Sequence, residues 1–461
     1  MSNYLKTQEN RLLESAKYII RRLEERGYEA YIVGGCVRDS ILGTEPHDYD
    51  ICTSALPDEV MDAFDKNIVI PTGLKHGTVT VVIDGNNYEV TTFRIDGQYS
   101  DNRHPDNVKF TRNLTEDLKR RDFTMNAIAY SDRTGLIDPF DGIKDIRHGI
   151  VRCVGNPDER FSEDALRILR AIRFAAQLDF VIEPDMTEKS IHKMSHLLEN
   201  VAAERINTEF CKIAVSGHFA ESVRRFRDVF EIFIPELRDL AGFNQNSPYH
   251  EFDVLEHTLH AVGKCPSAEL TTRLAVFFHD FGKPQCYQED GNGIGHFYGH
   301  GKVSAELTNV IMRRLKFDNQ TRRDVKKLVF YHDAQLEAVK KQIRRWLNRI
   351  GEQQFRRLLD VKVSDIRGQK ENNDNDERLL VIPDILRLTD EILRENDCFQ
   401  MKDLAVNGKD LLDMGFVQGK EIGDTLHKLL NMVIDGQIKN DRDELLHYAG
   451  TKIGDVVLNK T

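Results

Sequence analysis

The sequence has one tryptophan, only 8% aromatic residues, and no run approaching the ~18–20 consecutive apolar residues that cross a bilayer, so no membrane-spanning helix is expected. Residues Met1 to Asn10 are polar, without the apolar core of a secretory signal, and the expected location is the cytoplasm. Its cysteines, Cys36, Cys52, Cys153, Cys211, Cys265, Cys286 and Cys398, form no CxxC pair and no regular framework, which points to reduced thiols. There is no internal repeat and no low-complexity tract. Positive charge is also in deficit, with a net charge of -11, which argues against a chain that binds polyanions along its whole length. The charge is uneven, however. Residues 313–357 hold 14 Lys/Arg against 5 Asp/Glu, whereas residues 371–400 hold 9 acidic and 3 basic residues.

What is present fits a globular protein of 461 residues, with 40% hydrophobic and 30% charged residues and length for roughly three domains. The spacing of Leu12, Leu13, Ala16, Ile19, Ile20 and Leu23 predicts an amphipathic helix over the first 28 residues, stopped by Gly27. A short strand from Ala30 to Val33, a Gly34-Gly35 turn and a helix from Cys36 to Leu42 follow. A second strand is predicted over Asp48 to Ile51. A hairpin is predicted from Thr78 to Ile83 and Tyr88 to Phe93, around a turn at residues 84–87. From Phe161 onward the pattern is helical, with breaks expected at Asn244 to Pro248, Gly291 to Gly301 and Gln369 to Glu377.

Asp48 and Asp50 stand two residues apart on a predicted strand, so both carboxylates face one side, where two hard oxygen donors can share Mg²⁺. Gly34 and Gly35 precede a helix, whose backbone N–H groups suit a phosphate, and Arg38 adds a charged donor. Glu89, on the hairpin strand, offers a third carboxylate as metal ligand or base for a two-metal centre. A tight turn and an exposed strand face are the structural alternatives for these residues.

GGCVRD (Gly34 to Asp39) with HDYDICT (His47 to Thr53) resembles the signature of polymerase β-type nucleotidyltransferases, in the bacterial class of tRNA CCA-adding enzymes and poly(A) polymerases. RRDFTMNA (Arg120 to Ala127), DPFDG (Asp138 to Gly142), EDALRILRAIRF (Glu163 to Phe174) and AERINTEF (Ala203 to Phe210) follow in the family's order. The resemblance implies an α+β fold: a nucleotidyltransferase head of mixed sheet and helices (1–145), then all-α neck (146–245), HD (246–370) and tail (371–461) domains.

It further implies template-independent addition of CCA to the 3′ end of tRNA from CTP and ATP. Asp164 and Arg167, at i and i+3 on one helix face, present an acceptor and a donor fork together. By the resemblance they form a protein template for the base edges, and Asp122 accepts from the ribose 2′-OH. Arg121, Arg170 and Arg173 are candidates for phosphate contact or orientation. The polar segment Tyr99 to Phe110 resembles the mobile loop of enzymes that complete the final adenosine. It carries Arg103-His104-Pro105 where the family often shows Arg-Arg-Pro, a departure that bears on specificity. The alternatives are an A-adding enzyme or poly(A) polymerase, which share these motifs, or a phosphohydrolase with an RNA-binding head.

Further along come His257, the pair His279-Asp280, GHFYGHGKVSAE (Gly295 to Glu306) with His300, YHD (Tyr331 to Asp333) and then Asp365, and the ordered series His257, His279-Asp280, Asp365 resembles the HD superfamily of metal-dependent phosphohydrolases. Imidazole with carboxylate binds divalent metals, and a metal-bound water attacks phosphoesters. A core hydrogen-bond network is the non-catalytic alternative. The basic stretch, with Arg313, Arg314, Lys326 and Lys327, is where phosphates of a tRNA backbone are expected. Phe317, Phe330, Tyr331, Trp346 and Phe355 have core spacing, so stacking on single strands is not indicated. Gly415, Gly419 and Lys420 lead a later helix and form a second candidate RNA contact.

Overall fold

The computed structural model describes residues 2–64, 68–97, 107–246, 252–369, 373–395 and 397–458. By its contacts the chain divides into two compact units, residues 1–238 with 314–317, and residues 239–313 with 318–461. The expected four-part division is finer than this. No helix among the described residues is long and apolar enough to cross a membrane.

The first unit opens with helix α1 (Ser2–Glu24), which buries Ala16, Ile19, Ile20 and Leu23 to 4% exposure or less. Burial of each Ile or Leu contributes ~1.5–3 kcal/mol. Strand β1 (Ala30–Val33) runs into helix α2 (Gly35–Ile41) through Gly34, whose φ of 86° is open to glycine and strained for other residues. Strands β2 (Asp50–Thr53), β3 (Val69–Gly73), β4 (Thr78–Ile83), β5 (Asn86–Thr92), β6 (Ala129–Ser131) and β7 (Gly135–Ile137) complete a seven-stranded sheet in the order β3-β4-β5-β2-β1-β6-β7. Its β2–β5 pair is parallel and the other pairs are antiparallel. Tyr31, Val33, Cys52, Phe93, Leu118, Ala127 and Ala129 share one buried cluster against it.

Two expectations need correction. The hairpin turn is the two residues Asp84 and Gly85, both at positive φ (51° and 76°), so β5 begins at Asn86 rather than Tyr88. That backbone matches the twist of the flanking strands. The second strand begins at Asp50, with Asp48 in the segment before it. The rest of this unit is mainly helical and includes α3 (Pro157–Glu163), α4 (Leu166–Leu178) and α5 (Ala203–Ala214).

The second unit contains α6 (Val254–Gly263), α7 (Leu270–Phe278), α8 (His300–Arg314), α9 (Asn319–Tyr331), α10 (Lys340–Ile350), α11 (Glu352–Gly368) and α12 (Asn373–Arg394). Asp253 caps α6 through the Glu256 N–H, and Asp318 caps α9 through Gln320 and Thr321. Helix α7 packs against α6, α9 and α11. Helix α11 also packs on α6, and Gly368 on α11 permits their close approach, because a Cβ there would lie 2.9 Å from the Cβ of Ala261 on α6. The break expected to run to Glu377 is shorter, since α12 already begins at Asn373. Within Gly291 to Gly301 lies part of a small antiparallel pair, Gln288–Glu289 with Gly295–His296. Phe317, Trp346 and Phe355 are buried as expected, but Phe330 is exposed.

Candidate active sites

The end of β1 and the start of β2 make the first site. Val33 pairs with Asp50, so the Asp50 carboxylate lies beside the Gly34 turn. A Cβ on Gly34 would stand 3.9 Å from Asp50 Oδ2 and 3.4 Å from Arg121 Nη1. Although Asp48 precedes the strand, alternation persists: Tyr49 is buried between exposed Asp48 and Asp50. On β5, Val90 pairs in parallel with Ile51, which sets Glu89 beside Asp50, exposed between buried Tyr88 and Val90. Although Asp50 as a whole residue is exposed, its carboxylate sits among enough protein to lose part of its hydration, and this desolvation first, then the charges of Asp48 and Glu89, raises it to about 6 against the opposing pull of Arg121. The cluster therefore has more negative charge than its one arginine balances, a condition that attracts cations.

Arg121 is fixed from behind by Asp117, a fully buried carboxylate that also accepts from Arg120 at 2.8 Å and from the Arg94 backbone N–H at 3.2 Å. Sequence reasoning missed Asp117. Its i, i+3 and i, i+4 spacing to two arginines was the available signal. Arg38 donates to Asn126 Oδ1 at 2.8 Å and to Asp39 at 2.8 Å, with its guanidinium beside Gly35.

Asp122 is buried, and every acceptor position on it is taken. Oδ1 accepts from its neighbour's backbone N–H (Phe123, 2.8 Å) and Asn126 (3.2 Å), and Oδ2 accepts a bidentate Arg170 at 2.8 and 2.6 Å. Burial opposes its charge, but Arg170 and Arg167 outweigh burial and hold the carboxyl down to about 2. A ribose hydroxyl would have to displace one of these donors. Arg38, Arg170 and Arg173 all lie over the Phe174 ring, 5.0, 5.4 and 4.0 Å from its centroid, and Arg173 pairs with Glu209 at 2.6 Å.

Asp164 and Arg167 do not share a helix face. Asp164 is extended (φ -141°, ψ 101°) in the break between α3 and α4, and Arg167 is on the first turn of α4. Each has its own holder. Arg205 on α5 donates to Asp164 Oδ2 at 2.9 Å, while Arg167 donates to Glu163 at 2.6 Å and to the Arg120 carbonyl at 3.0 Å. Arg205 and Glu163 were not predicted. Arg205 lies 41 residues from its partner, beyond any local signal.

The second site lies wholly in the second unit. His257 on α6, His279 and Asp280 just past α7, and Asp365 on α11 converge as expected. His257 Nε2 is 3.3 Å from Asp280 Oδ2 and 3.1 Å from Asp365 Oδ1, and His279 Nε2 is 3.2 Å from Asp280 Oδ2. Burial opposes charge throughout. Even so, Asp280 and Asp365 push His279 up to about 10, and the facing imidazoles hold both carboxyls well below their usual range. Two further histidines join them, His300 at the start of α8 and His332 after α9. Among the described residues, two groups keep all their ligand atoms within 4.8 Å, His257/His279/Asp365 and Asp280/His300/His332. The Asp48, Asp50 and Glu89 carboxylates do not form such a group.

Of the basic candidates, Arg314 pairs with Glu236 at 2.7 Å and Lys326 with Glu306 at 2.8 Å. Arg313, Lys327 and Lys420 are exposed, with no carboxylate partner among the described residues. Lys420 opens a helix, Lys420–Ile434, after Gly419 at φ 121°. Of the segment Tyr99 to Phe110, residues 99–106, and with them Arg103-His104-Pro105, lie outside the described residues.

Comparison with known proteins places this geometry in context. The profile of the Poly A polymerase head domain matches residues 30–152. That of the probable RNA and SrmB- binding site of polymerase A matches 179–240, and that of tRNA nucleotidyltransferase domain 2 (putative) matches 297–449. The chain is 34% identical to the CCA-adding enzyme of Ligilactobacillus salivarius over 94% of each chain. It is 52% identical to that of Lactiplantibacillus plantarum over 44% of this chain and 50% of that one. A crystal structure of the Bacillus stearothermophilus CCA-adding enzyme in complex with CTP superposes with a TM-score of 0.71, at 31% identity, over 97% of this chain and 98% of that one. The Thermotoga maritima CCA-adding enzyme complexed with tRNA shares the fold at a TM-score of 0.62 and 20% identity, over 96% of each chain.

Proposed function

The chain belongs to the family of CCA-adding enzymes, tRNA nucleotidyltransferases, and on that premise we propose that it builds CCA on tRNA from CTP and ATP in the cytoplasm without a nucleic-acid template. The observation that carries the reading is the cluster of Asp48, Asp50 and Glu89 around the Gly34 turn, with its excess of negative charge. Hard carboxylate oxygens fit Mg²⁺. Asp48 and Asp50 would hold it, with Glu89 as third ligand or proton acceptor. When bound, the metal pair supplies charge neutralisation at the triphosphate and lowers the pKa of the attacking hydroxyl.

In the reaction the tRNA 3′-oxygen bonds to the α-phosphorus of CTP or ATP as the bond to the bridging oxygen breaks, and pyrophosphate leaves. The hydroxyl proton passes to the carboxylate cluster. Asp164 and Arg167, each fixed by a separate partner, offer an acceptor and a donor fork to the base edge. Gly34, Gly35, Arg38 and Arg121 face the phosphates. Arg170, Arg173 and Asp122 form the wall behind, with Asp122 meeting the ribose once a donor yields. The division into head (1–145), neck (146–245), HD (246–370) and tail (371–461) parts belongs to this reading, as do phosphate contacts from Arg313, Arg314, Lys326, Lys327 and Lys420.

The second site supports an additional role. His257, His279, Asp280 and Asp365 are a buried set of imidazole and carboxylate donors, which suits a divalent metal and hydrolysis of phosphoesters at RNA 3′ ends.

The test is a gel assay on tRNA transcripts ending at the discriminator base or in CC, given CTP, ATP or both. Growth of the short transcript by three residues is expected. A gain of one A on the CC-ending transcript alone marks an A-adding enzyme, and long A tails mark a poly(A) polymerase. Asp48→Ala is expected to abolish incorporation, measured on the same gels, and to leave phosphoester hydrolysis intact.

A further inference from the structure

Asp117 lies fully buried on the helix Leu114–Lys119, a place where a carboxylate is costly unless cations hold it. Its Oδ1 accepts from Arg120 at 3.0 and 2.8 Å and from the Arg94 backbone N–H at 3.2 Å, so its position is fixed without Arg121. Burial opposes its charge, yet Arg120 and then Arg121 keep the carboxyl below its usual range. Oδ2 is left for Arg121, whose Nη2 donates to it at 3.4 Å.

The helix reaches the carboxylate cluster from behind. Cys52 and Asp50 share a face of β2 by its period of two, and Cys52 packs with Leu114 and Leu118 in one buried cluster. The helix therefore covers that face one step behind Asp50, and Arg121 spans the interval. Its guanidinium has a choice of two anions. Arg121 Nη1 and Asp50 Oδ2 flank the same point above Gly34, 3.4 and 3.9 Å from it, and Asp50 stands among three carboxylates that one arginine does not balance. A guanidinium at that range forms a bidentate pair with a carboxylate unless something holds it back. Among the described residues, however, the ion pair of Arg121 is with Asp117. Its buried Nε has no hydrogen-bond partner among the described residues, and an orphaned donor of this kind calls for an acceptor from outside the fold.

We propose that Asp117 is a positioning residue. It holds Arg121 off Asp50, which keeps the Asp50 carboxylate open to the divalent cation, and it aims Nη1 across the Gly34 turn at the phosphates of the incoming nucleotide. The proposal rests on the nucleotidyl-transfer reading of the first site and deepens it. It also accounts for a charge buried at a cost: without Asp117, the same arginine would close the site it serves.

The experiment compares the full chain with Asp117→Asn, Arg121→Gln and the double variant, each checked for unchanged circular dichroism. Binding of labelled CTP is read by equilibrium dialysis in EDTA, and the Mg²⁺ needed for half-maximal CTP incorporation is read on transcript gels. Asp117→Asn is expected to weaken CTP binding about 10-fold, as Arg121→Gln does, because Arg121 then turns to Asp50. Adding Asp117→Asn to Arg121→Gln should weaken it no further. The Mg²⁺ requirement should rise in Asp117→Asn and fall back in the double variant, where no guanidinium competes for Asp50. Unchanged CTP binding or an unchanged Mg²⁺ requirement in Asp117→Asn overturns the proposal. So does tighter CTP binding, which means that only the lost negative charge matters, and so does an equal loss in the Arg121→Gln background, which means a structural role. If Asp117→Asn does not fold, Arg121→Lys decides. A flexible ammonium that cannot span Asp117 and the Gly34 turn should bind CTP as weakly as Arg121→Gln, and wild-type affinity overturns the proposal. Wild-type protein that binds CTP but incorporates none refutes the transfer reading, while the dialysis still decides the role of Asp117.

Discussion

Asp122 shows how much a single side chain can be committed before any substrate arrives. Its ordinary carboxyl value of 3.8 falls to about 2 because Arg170 and Arg167 outweigh the cost of burial. A folded-state value below the unfolded one means that the stabilisation is complete above the unfolded value and is lost as pH falls through the folded one. At 1.36 kcal/mol per unit, Asp122→Asn is expected to cost ~2 kcal/mol above pH 4, with the difference shrinking toward pH 2. Urea midpoints of both proteins between pH 3 and 7 check this. A deficit constant across that range would show that the charge is not the cause. The pairing of Asp164 with Arg205 gives a second expectation. Loss of one charge-assisted hydrogen bond of ~1.5–3 kcal/mol should lower kcat/KM for CTP and ATP about 10–100-fold in Arg205→Ala and reduce discrimination against UTP. Single-nucleotide kinetics measure both effects, and wild-type discrimination in the variant would remove Asp164 from the base-reading role.

At the scale of elements, two motifs that look independent in sequence are one packed unit. In DPFDG, Asp138 accepts the N–H groups of Gly142 and Ile143 at 2.7 and 2.8 Å, capping the helix Gly142–His148. That helix rests on RRDFTMNA so closely that a Cβ on Gly142 would lie 2.2 Å from the Thr124 carbonyl oxygen. The obstacle is backbone, so no side-chain rotation relieves it. Gly142→Ala is expected to destabilise by ~1–3 kcal/mol and to lower nucleotide incorporation with it, read from Tm and from the transcript assay. Most elements were legible from periodicity. β1 and β4 were found at their predicted bounds, and α2 one residue from its own, because strand period, Gly breaks and β-branched runs are local signals. The Asp164–Arg167 helix face failed because Asp164 is extended between two helices, and the misplaced Asp48–Ile51 strand failed for a tertiary reason. Where an element begins depends on its neighbours' hydrogen bonds, and here Asp50 is where β2 meets β1.

Across the whole molecule, the basic stretch is less available than its charge suggests. Lys340 pairs with Glu391, Arg345 with Asp435, Arg356 with Glu352 and Arg357 with Asp324. Phosphate binding depends on charge that is not already neutralised. Arg313→Gln and Lys327→Gln are therefore expected to weaken tRNA binding and to lower the slope of log K against log salt by about 1 each. Arg314→Gln and Lys326→Gln should change it less, because Glu236 and Glu306 already balance them. Filter binding at several salt concentrations separates the two sets, and equal slopes for all four variants would remove this stretch from the interface.

The sequence by itself determined the α+β class, the family, and the candidates Asp48, Asp50, Glu89, His257, His279, Asp280 and Asp365. Motif spacing and polar residues in fixed order survive in one dimension. Only the tertiary structure decided that Arg205 holds Asp164, that Arg170 saturates Asp122, that Glu306 neutralises Lys326, and that His300 and His332 face each other on the far side of Asp280. Those contacts join residues 20 to 48 positions apart. At such separations the partner is chosen by helix packing and burial, which no local pattern encodes.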